Sequence, residues 1–277
     1  MSEPVITVEH LRKVFEVGHG DELIAVDDVG FTVEPGASLA IVGESGSGKT
    51  TVARMLVGLE TPTSGRIAVD GVEISVKRAS TRDRRRRARS VQIVFQDPYT
   101  SLDPRQKVAG CLDETLRLHT ELDASGRRGR VHELLRQVGM VDVHGRAVPS
   151  RLSGGQRQRV AIARALACEP RVLVFDEAVS ALDVSIQGQI LNLLNDIRAT
   201  TGISYVFISH DLAVVRQVTD DALVMRSGQV VERGPTGKVL DDPQHLYTQL
   251  LRASVPGPGW SPGQVRQLLA QLDSDGN

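Results

Sequence analysis

The chain has 277 residues, 40% of them hydrophobic and 24% charged, with a formal net charge of −1. That length and balance are ordinary for a soluble globular protein with one large or two modest domains and a real core. The near-zero charge and 3% aromatic content argue against a surface built for polyanions or for stacking single-stranded bases, so no nucleic acid partner is expected.

Residues 5–8, 24–33 and 38–42 are short, β-branched stretches bounded by glycine or acidic turns, and they predict strands. Val42 runs directly into Gly43-Glu44-Ser45-Gly46-Ser47-Gly48-Lys49-Thr50, followed by Thr51. Residues 50–59 then carry helical apolar spacing through Val52, Met55, Leu56 and Leu59. Strand, glycine loop and helix in that order make a phosphate-binding loop. Glycines let backbone N–H groups face the phosphates, Lys49 neutralises the terminal ones, and the Thr50 hydroxyl suits Mg²⁺. Residues 67–69 and 91–95 are further strand candidates. The intervening basic run, residues 77–89 with Arg84-Arg85-Arg86-Arg87, reads as an exposed arginine-rich edge before the strand at Val91, with attraction to anionic lipid headgroups or to nucleic acid as the alternatives.

From about residue 98 to 166 the pattern turns helical, with segments at 108–119, 130–138 and 155–167. The block interrupts an α/β core that resumes with a buried strand at 172–175, a helix at 186–199 and a strand at 205–208. Asp176 and Glu177 end the first of these strands. Asp176 is suited to hold Mg²⁺, and Glu177 to polarise a water for attack on a γ-phosphate. Beyond Gly234 a short helix is expected at 246–253, a break at 256–259, and a final amphipathic turn or two at 265–272. Cys111 and Cys168 are far apart and carry no ligand spacing, which fits buried thiols in a reducing compartment. No signal peptide is evident at Met1-Ser2-Glu3-Pro4, and no stretch reaches the roughly 18 apolar residues of a membrane span.

The glycine loop, the run Leu152-Ser153-Gly154-Gly155-Gln156 and the pair Asp176-Glu177 together resemble the ATP-binding cassette (ABC) ATPases, over residues 5 to about 254. The resemblance implies an α/β P-loop NTPase with a RecA-like core, an antiparallel β subdomain and a helical signature subdomain at about 98–166. The cassette would occupy 1–254 and a short C-terminal extension 255–277. ATP and Mg²⁺ are the implied cofactors, with Thr50, Gln96 and Asp176 as metal residues. The ATP-binding set runs through Gly43, Glu44, Ser45, Gly46, Ser47, Gly48, Lys49, Thr50 and Thr51. Glu177, His210, Gln96 and Lys49 would carry catalysis. Leu152, Ser153, Gly154, Gly155 and Gln156 would cap the nucleotide of a second ATPase subunit, and Ser180-Ala181-Leu182-Asp183 resembles the loop that crosses that interface. Family members stack adenine on an aromatic ahead of the loop; Phe15 and Phe31 are the candidates, and Phe31 suits core packing better, which leaves Phe15. Glu177 is followed by Ala178-Val179 where the family usually has Pro-Thr, which frees the backbone there and removes no reacting group.

Three segments resemble the ATPase subunits of bacterial oligopeptide, dipeptide and nickel importers. They are residues 96–104, with Gln96-Asp97-Pro98-Tyr99 at their start, residues 183–187, and Pro243-Gln244-His245-Leu246-Tyr247-Thr248. Leu246 stands where that subfamily usually has proline. His245 and Tyr247 read as packing residues of the last helix. With no cysteine after Cys168, no iron–sulfur cluster is expected. The implied protein is the ATP-hydrolysing subunit of a peptide importer. It would sit peripherally on the cytoplasmic face of a bacterial membrane, with two permease subunits, an extracytoplasmic solute-binding protein and an identical or sister cassette. A nickel or other small-solute importer is the alternative. A soluble ABC protein of translation or repair fits less well, since a second cassette or long coiled-coil insertion is not seen.

Overall fold

A computed structural model describes residues 3–18, 21–75, 80–97, 102–255 and 261–274. Strands β1 (Ile6–Val17) and β2 (Asp21–Val33) pair antiparallel. β3 (Ser38–Val42) leads to helix α1 (Lys49–Leu56), and β4 (Ser64–Val69) and β5 (Val72–Glu73) follow. β4 returns to β1 and β5 pairs with β4, giving an antiparallel sheet of order β2-β1-β4-β5. Helix α2 (Thr81–Ser90) precedes β6 (Val91–Phe95).

The helical block contains α3 (Val108–His119), α4 (Ala124–Gln137), α5 (Asp142–Gly145), a 3₁₀ turn at Pro149–Arg151 and α6 (Gly154–Leu166). The chain continues through β7 (Val172–Asp176), α7 (Val184–Thr201), β8 (Ser204–Ser209), α8 (Leu212–Val218), β9 (Asp221–Arg226) and β10 (Gln229–Pro235). It ends with α9 (Thr236–Asp241), α10 (Leu246–Ala253) and α11 (Pro262–Ser274). The second sheet has the order β10-β9-β3-β8-β7-β6; its pairs are parallel except β9 with β10.

Two-residue alternation explains how the second sheet is covered on both faces. Leu39, Ile41, Val172, Val174, Val206 and Ile208 face one core, shared with α1 and the antiparallel sheet. Leu173, Phe175, Tyr205 and Phe207 face the other, shared with the helical block and α7. A third cluster joins Ala40, Val42 and Val224 to Tyr247, Leu250 and Leu272, so α10 and α11 pack over the part of the sheet formed by β3 and β9.

The basic run, expected to be exposed, is a helix over its described part. Ser80 accepts the Asp83 N–H at 3.1 Å and Asp83 accepts the Ser80 N–H at 3.0 Å, a capping box that starts α2 before the arginines. Arg82, Arg84, Arg85 and Arg86 are exposed, as expected for that run. α11 is also longer than the turn or two expected at 265–272, and Leu272 is buried. The expected break at 256–259 and residues 98–101 of the 96–104 segment lie outside the described residues. No described helix is long and apolar enough to cross a membrane.

Candidate active site

The parallel strands β3, β8, β7 and β6 end on one edge of the sheet. Val42 lies beside Ser209, Ile208 beside Asp176, and Asp176 beside Phe95. The residues that follow these strands are Gly43, His210, Glu177 and Gln96. Four segments far apart in sequence thus emerge side by side at the carboxyl ends of the strands, where open α/β sheets bind ligands.

The phosphate loop is shaped by its glycines and by the strands around it. Gly43 has φ 151° and a Cβ there would lie 2.2 Å from the Met225 carbonyl oxygen; Gly48 has φ 98° and its Cβ would lie 2.3 Å from that of Ala25. Only glycine fits either place. Ser45 and Gly46 are exposed, whereas Ser47 and Lys49 are buried. Lys49 Nζ donates to the Glu44 carbonyl at 2.6 Å and to Ser47 Oγ at 3.2 Å. Burial pushes the Lys49 pKa down, against the pull of Glu177, Asp176 and Glu44. Thr51 lies two residues on, in the first turn of α1. The loop leads into the N-terminus of that helix, whose dipole favours anions.

The Thr50 hydroxyl donates to Asp176 Oδ1 at 3.1 Å, so the helix start and the end of β7 share one polar point. Burial raises the Asp176 pKa; the Thr50 hydrogen bond opposes the rise and the neighbouring Glu177 adds to it. A hydroxyl oxygen beside a buried carboxylate is a donor set that suits Mg²⁺.

Glu177 has φ 51°, a left-handed conformation uncommon for a residue with a side chain. Its N–H donates to the Ile208 carbonyl at 3.0 Å, and its Oε1 lies 3.3 Å from His210 Nδ1. Gln96 Nε2 donates to Ser180 Oγ at 3.0 Å, and Ser180 Oγ donates to the Glu177 carbonyl at 2.9 Å. The structure therefore brings Gln96, Glu177, Ser180 and His210 together. Ala178 and Val179 are buried, and the turn is closed by Ser180 N–H to Glu177 O at 3.1 Å and Leu182 N–H to Val179 O at 3.2 Å. Hydrogen bonds and burial hold this backbone without a proline.

Asp183 caps α7 through the Ile186 N–H at 3.0 Å, while Ala181 and Asp183 remain exposed. Ser153 caps α6: its Oγ accepts the Gln156 N–H at 3.3 Å, and Gln156 Oε1 accepts the Ser153 N–H at 2.9 Å. Leu152 and Gly155 are buried, and a Cβ on Gly155 would meet Ile186 Cγ2 at 2.5 Å.

Phe15 pairs with Leu23, two residues (about 7 Å) along β2 from the Ala25 carbonyl that crowds Gly48. It is partly buried, with Lys13 Nζ 4.7 Å from the ring centroid, whereas Phe31 is buried in the core. One contact had no signal in the sequence. Tyr247, expected only to pack α10, accepts the Glu44 N–H on its hydroxyl oxygen at 2.9 Å.

A phosphate loop at the head of a parallel sheet, with a carboxylate pair at the neighbouring strand end, defines a P-loop NTPase. The ABC transporter family model matches residues 26–180, and this chain belongs to that family. The di/tripeptide transport ATP-binding protein DppF of Pseudomonas aeruginosa is 48% identical over 259 residues, covering 92% of this chain and 80% of that protein. The glutathione import ATP-binding protein GsiA of Escherichia coli is 46% identical over 260 residues, covering 92% of this chain and 41% of that protein. Among solved structures, a dimeric ATP-binding cassette in a post-hydrolysis state, bound to ADP and Pi, superimposes with a TM-score of 0.75 at 27% identity. The match covers 83% of this chain and 98% of that one. The present chain is an ATPase of this family.

Proposed function

We propose that this chain is the nucleotide-binding subunit of a membrane importer for peptides. Two cassettes would sandwich ATP between the phosphate loop of one and residues 152–156 of the other. The observation that carries the reading is the convergence of Gly43, Gln96, Glu177 and His210 at one sheet edge, with His210 Nδ1 3.3 Å from Glu177 Oε1. In the solved relative a dimeric cassette holds ADP and Pi, the products of the proposed reaction. Peptide or glutathione import in the named relatives supports the substrate class.

Within the site, residues 43–51 wrap the phosphates and Lys49 offsets their charge. Phe15 takes the adenine. Thr50, Gln96 and Asp176 would hold Mg²⁺, whose charge neutralises the phosphate oxygens. Glu177, fixed by Ile208 and facing His210, accepts the proton of the attacking water; His210 holds that carboxylate and the terminal phosphate in line. Gln96, bonded to Ser180, links this chemistry to the interface loop. Residues 96–104 would pass the nucleotide state to two permease subunits, placing the cassette on the cytoplasmic face of a bacterial membrane, with an extracytoplasmic binding protein delivering solute. The cassette would occupy 1–254, with 255–277 as an extension.

Glu177→Gln tests the chemistry. ATP should still bind, and hydrolysis in the assembled transporter should fall by roughly 10²–10⁴-fold, the usual worth of a general base. Unchanged turnover would remove Glu177 from that role. Co-purification of the chain with ribosomes or DNA, rather than with integral membrane subunits, would overturn the importer assignment.

A further inference from the structure

The last part of the chain reaches back to the phosphate loop through one side chain. Tyr247 lies in the first turn of α10, is 2% exposed, and its hydroxyl oxygen accepts the Glu44 N–H at 2.9 Å. The carbonyl of the same residue accepts Lys49 Nζ at 2.6 Å. Glu44 is thus tied on both sides: its N–H to Tyr247, its C=O to the lysine ammonium. The side chain of Glu44 is exposed, so backbone bonds anchor it: these two and the Ser47 N–H, which the same carbonyl accepts at 3.2 Å.

The tyrosine is itself held from several directions. Arg226 lies over its ring, 5.4 Å from the centroid, and the ring shares a buried cluster with Val42, Leu250 and Leu272. The start of α10 is clamped by Glu232 on β10, whose carboxylate accepts the Gln244 N–H at 2.8 Å and the His245 N–H at 3.1 Å. His245 Nδ1 then accepts the Tyr247 N–H at 3.1 Å. Packing alone requires the ring, not the hydroxyl; a phenylalanine would fill the same space. The hydroxyl is used on the phosphate loop.

We propose that Tyr247 is a positioning residue for nucleotide binding. By fixing the Gly43–Glu44 peptide, its hydroxyl orients the backbone that carries the next carbonyl, the one on which the Lys49 ammonium rests, and α10 thereby tunes the affinity of the loop for a nucleoside triphosphate. The proposal deepens the reading of the ATP site and rests on Lys49 as the group that meets the terminal phosphates.

The test is Tyr247→Phe in the full chain, which keeps the ring and its Arg226 contact and removes the acceptor of the Glu44 N–H. Titration with ATP and with ADP should show the ATP Kd raised by about five- to tenfold, the scale of one lost hydrogen bond. The ADP Kd should rise less, because the phosphate-loop lysine reaches the β- and γ-phosphates. An ATP Kd within about twofold of the native value overturns the proposal, and so does equal weakening of ATP and ADP, whatever happens to the thermal midpoint. Lys49→Ala is measured in parallel. If it leaves ATP affinity intact, the underlying reading of Lys49 fails; if it loses ATP while Tyr247→Phe binds like the native chain, only the role of Tyr247 fails. Should Tyr247→Phe not fold, Glu232→Gln loosens the start of α10 without touching the ring and must also raise the ATP Kd; an unchanged value overturns the proposal.

Discussion

The phosphate loop and the segment Leu152–Gln156 are both glycine turns that feed a helix, yet glycine is present for different reasons. In the first, Gly43 and Gly48 have positive φ, and a Cβ on either would run into backbone carbonyls of β9 and β2. The loop is fixed from within, and its lysine is only 5% exposed. In the second, neither glycine has a positive φ. Gly155 is required by the close approach of Ile186 on α7, but a Cβ on Gly154 would meet nothing nearer than Leu182 Cδ2 at 3.6 Å, an ordinary contact. Nothing among the described residues requires glycine at 154, and the exposed Ser153 beside it has a hydroxyl that serves the helix cap. The first turn is built against its own core; the second keeps Ser153 exposed beside a glycine with room around it. That is the arrangement expected of a site completed by a second subunit.

Substitutions can break or sharpen this contrast. The largest effect belongs to Glu177→Gln, which should silence hydrolysis and leave ATP bound. Next comes Gly48→Ala, which must displace either β2 or the loop. It should weaken ATP binding by at least about tenfold and lower the thermal midpoint, since a side chain there meets both strain and a carbonyl. ATP affinity equal to the native would show that the loop is not held as rigidly as its packing implies.

A smaller effect is expected at Asp176, where function and stability oppose each other. Its folded-state pKa is raised by burial, so the native state binds its proton more tightly than the unfolded chain. Stability from this group is therefore highest at low pH and falls as pH rises from the ordinary carboxylate range through the raised value. Asp176→Asn removes the buried charge. Its thermal midpoint should exceed the native one by roughly 2–4 °C at neutral pH, with the difference shrinking as pH is lowered towards about 4. A midpoint below the native at neutral pH would show that the charge is compensated, contrary to its environment.

The sheet that positions the site was largely legible. Buried apolar runs marked β3 at its observed bounds and β7 and β8 to within a residue, because strands covered on both faces read as continuous apolar stretches, while the edge strand β6 was marked at its observed bounds by its β-branched valines and isoleucine. The amphipathic helices α3 and α10 were equally clear. α2 was missed since arginine content dominates its composition; the Ser80–Asp83 capping box was the signal that could have located it. β9, with Ala222, Leu223, Val224 and Met225 all buried, was readable by the same rule as β7 but went unassigned. The candidate site was legible through its motifs, whereas its internal geometry was not. The left-handed turn at Glu177 and the bond from Tyr247 to Glu44, across 203 positions, arise from tertiary placement and leave no local pattern.

In the proposed dimer, residues 152–156 serve a nucleotide held by another subunit. Gly154→Asp tests it most directly. The side chain has room, and a carboxylate at the start of α6 suits the helix dipole, so the chain should fold as before. ATP Kd of the isolated monomer and hydrolysis by the assembled transporter are measured on the same variant. The monomer Kd should stay within about twofold of the native value, with hydrolysis reduced by at least about tenfold because the new charge would face the phosphates across the interface. A monomer that loses ATP affinity in step with the loss of hydrolysis would contradict it, and would place the signature over the chain's own nucleotide.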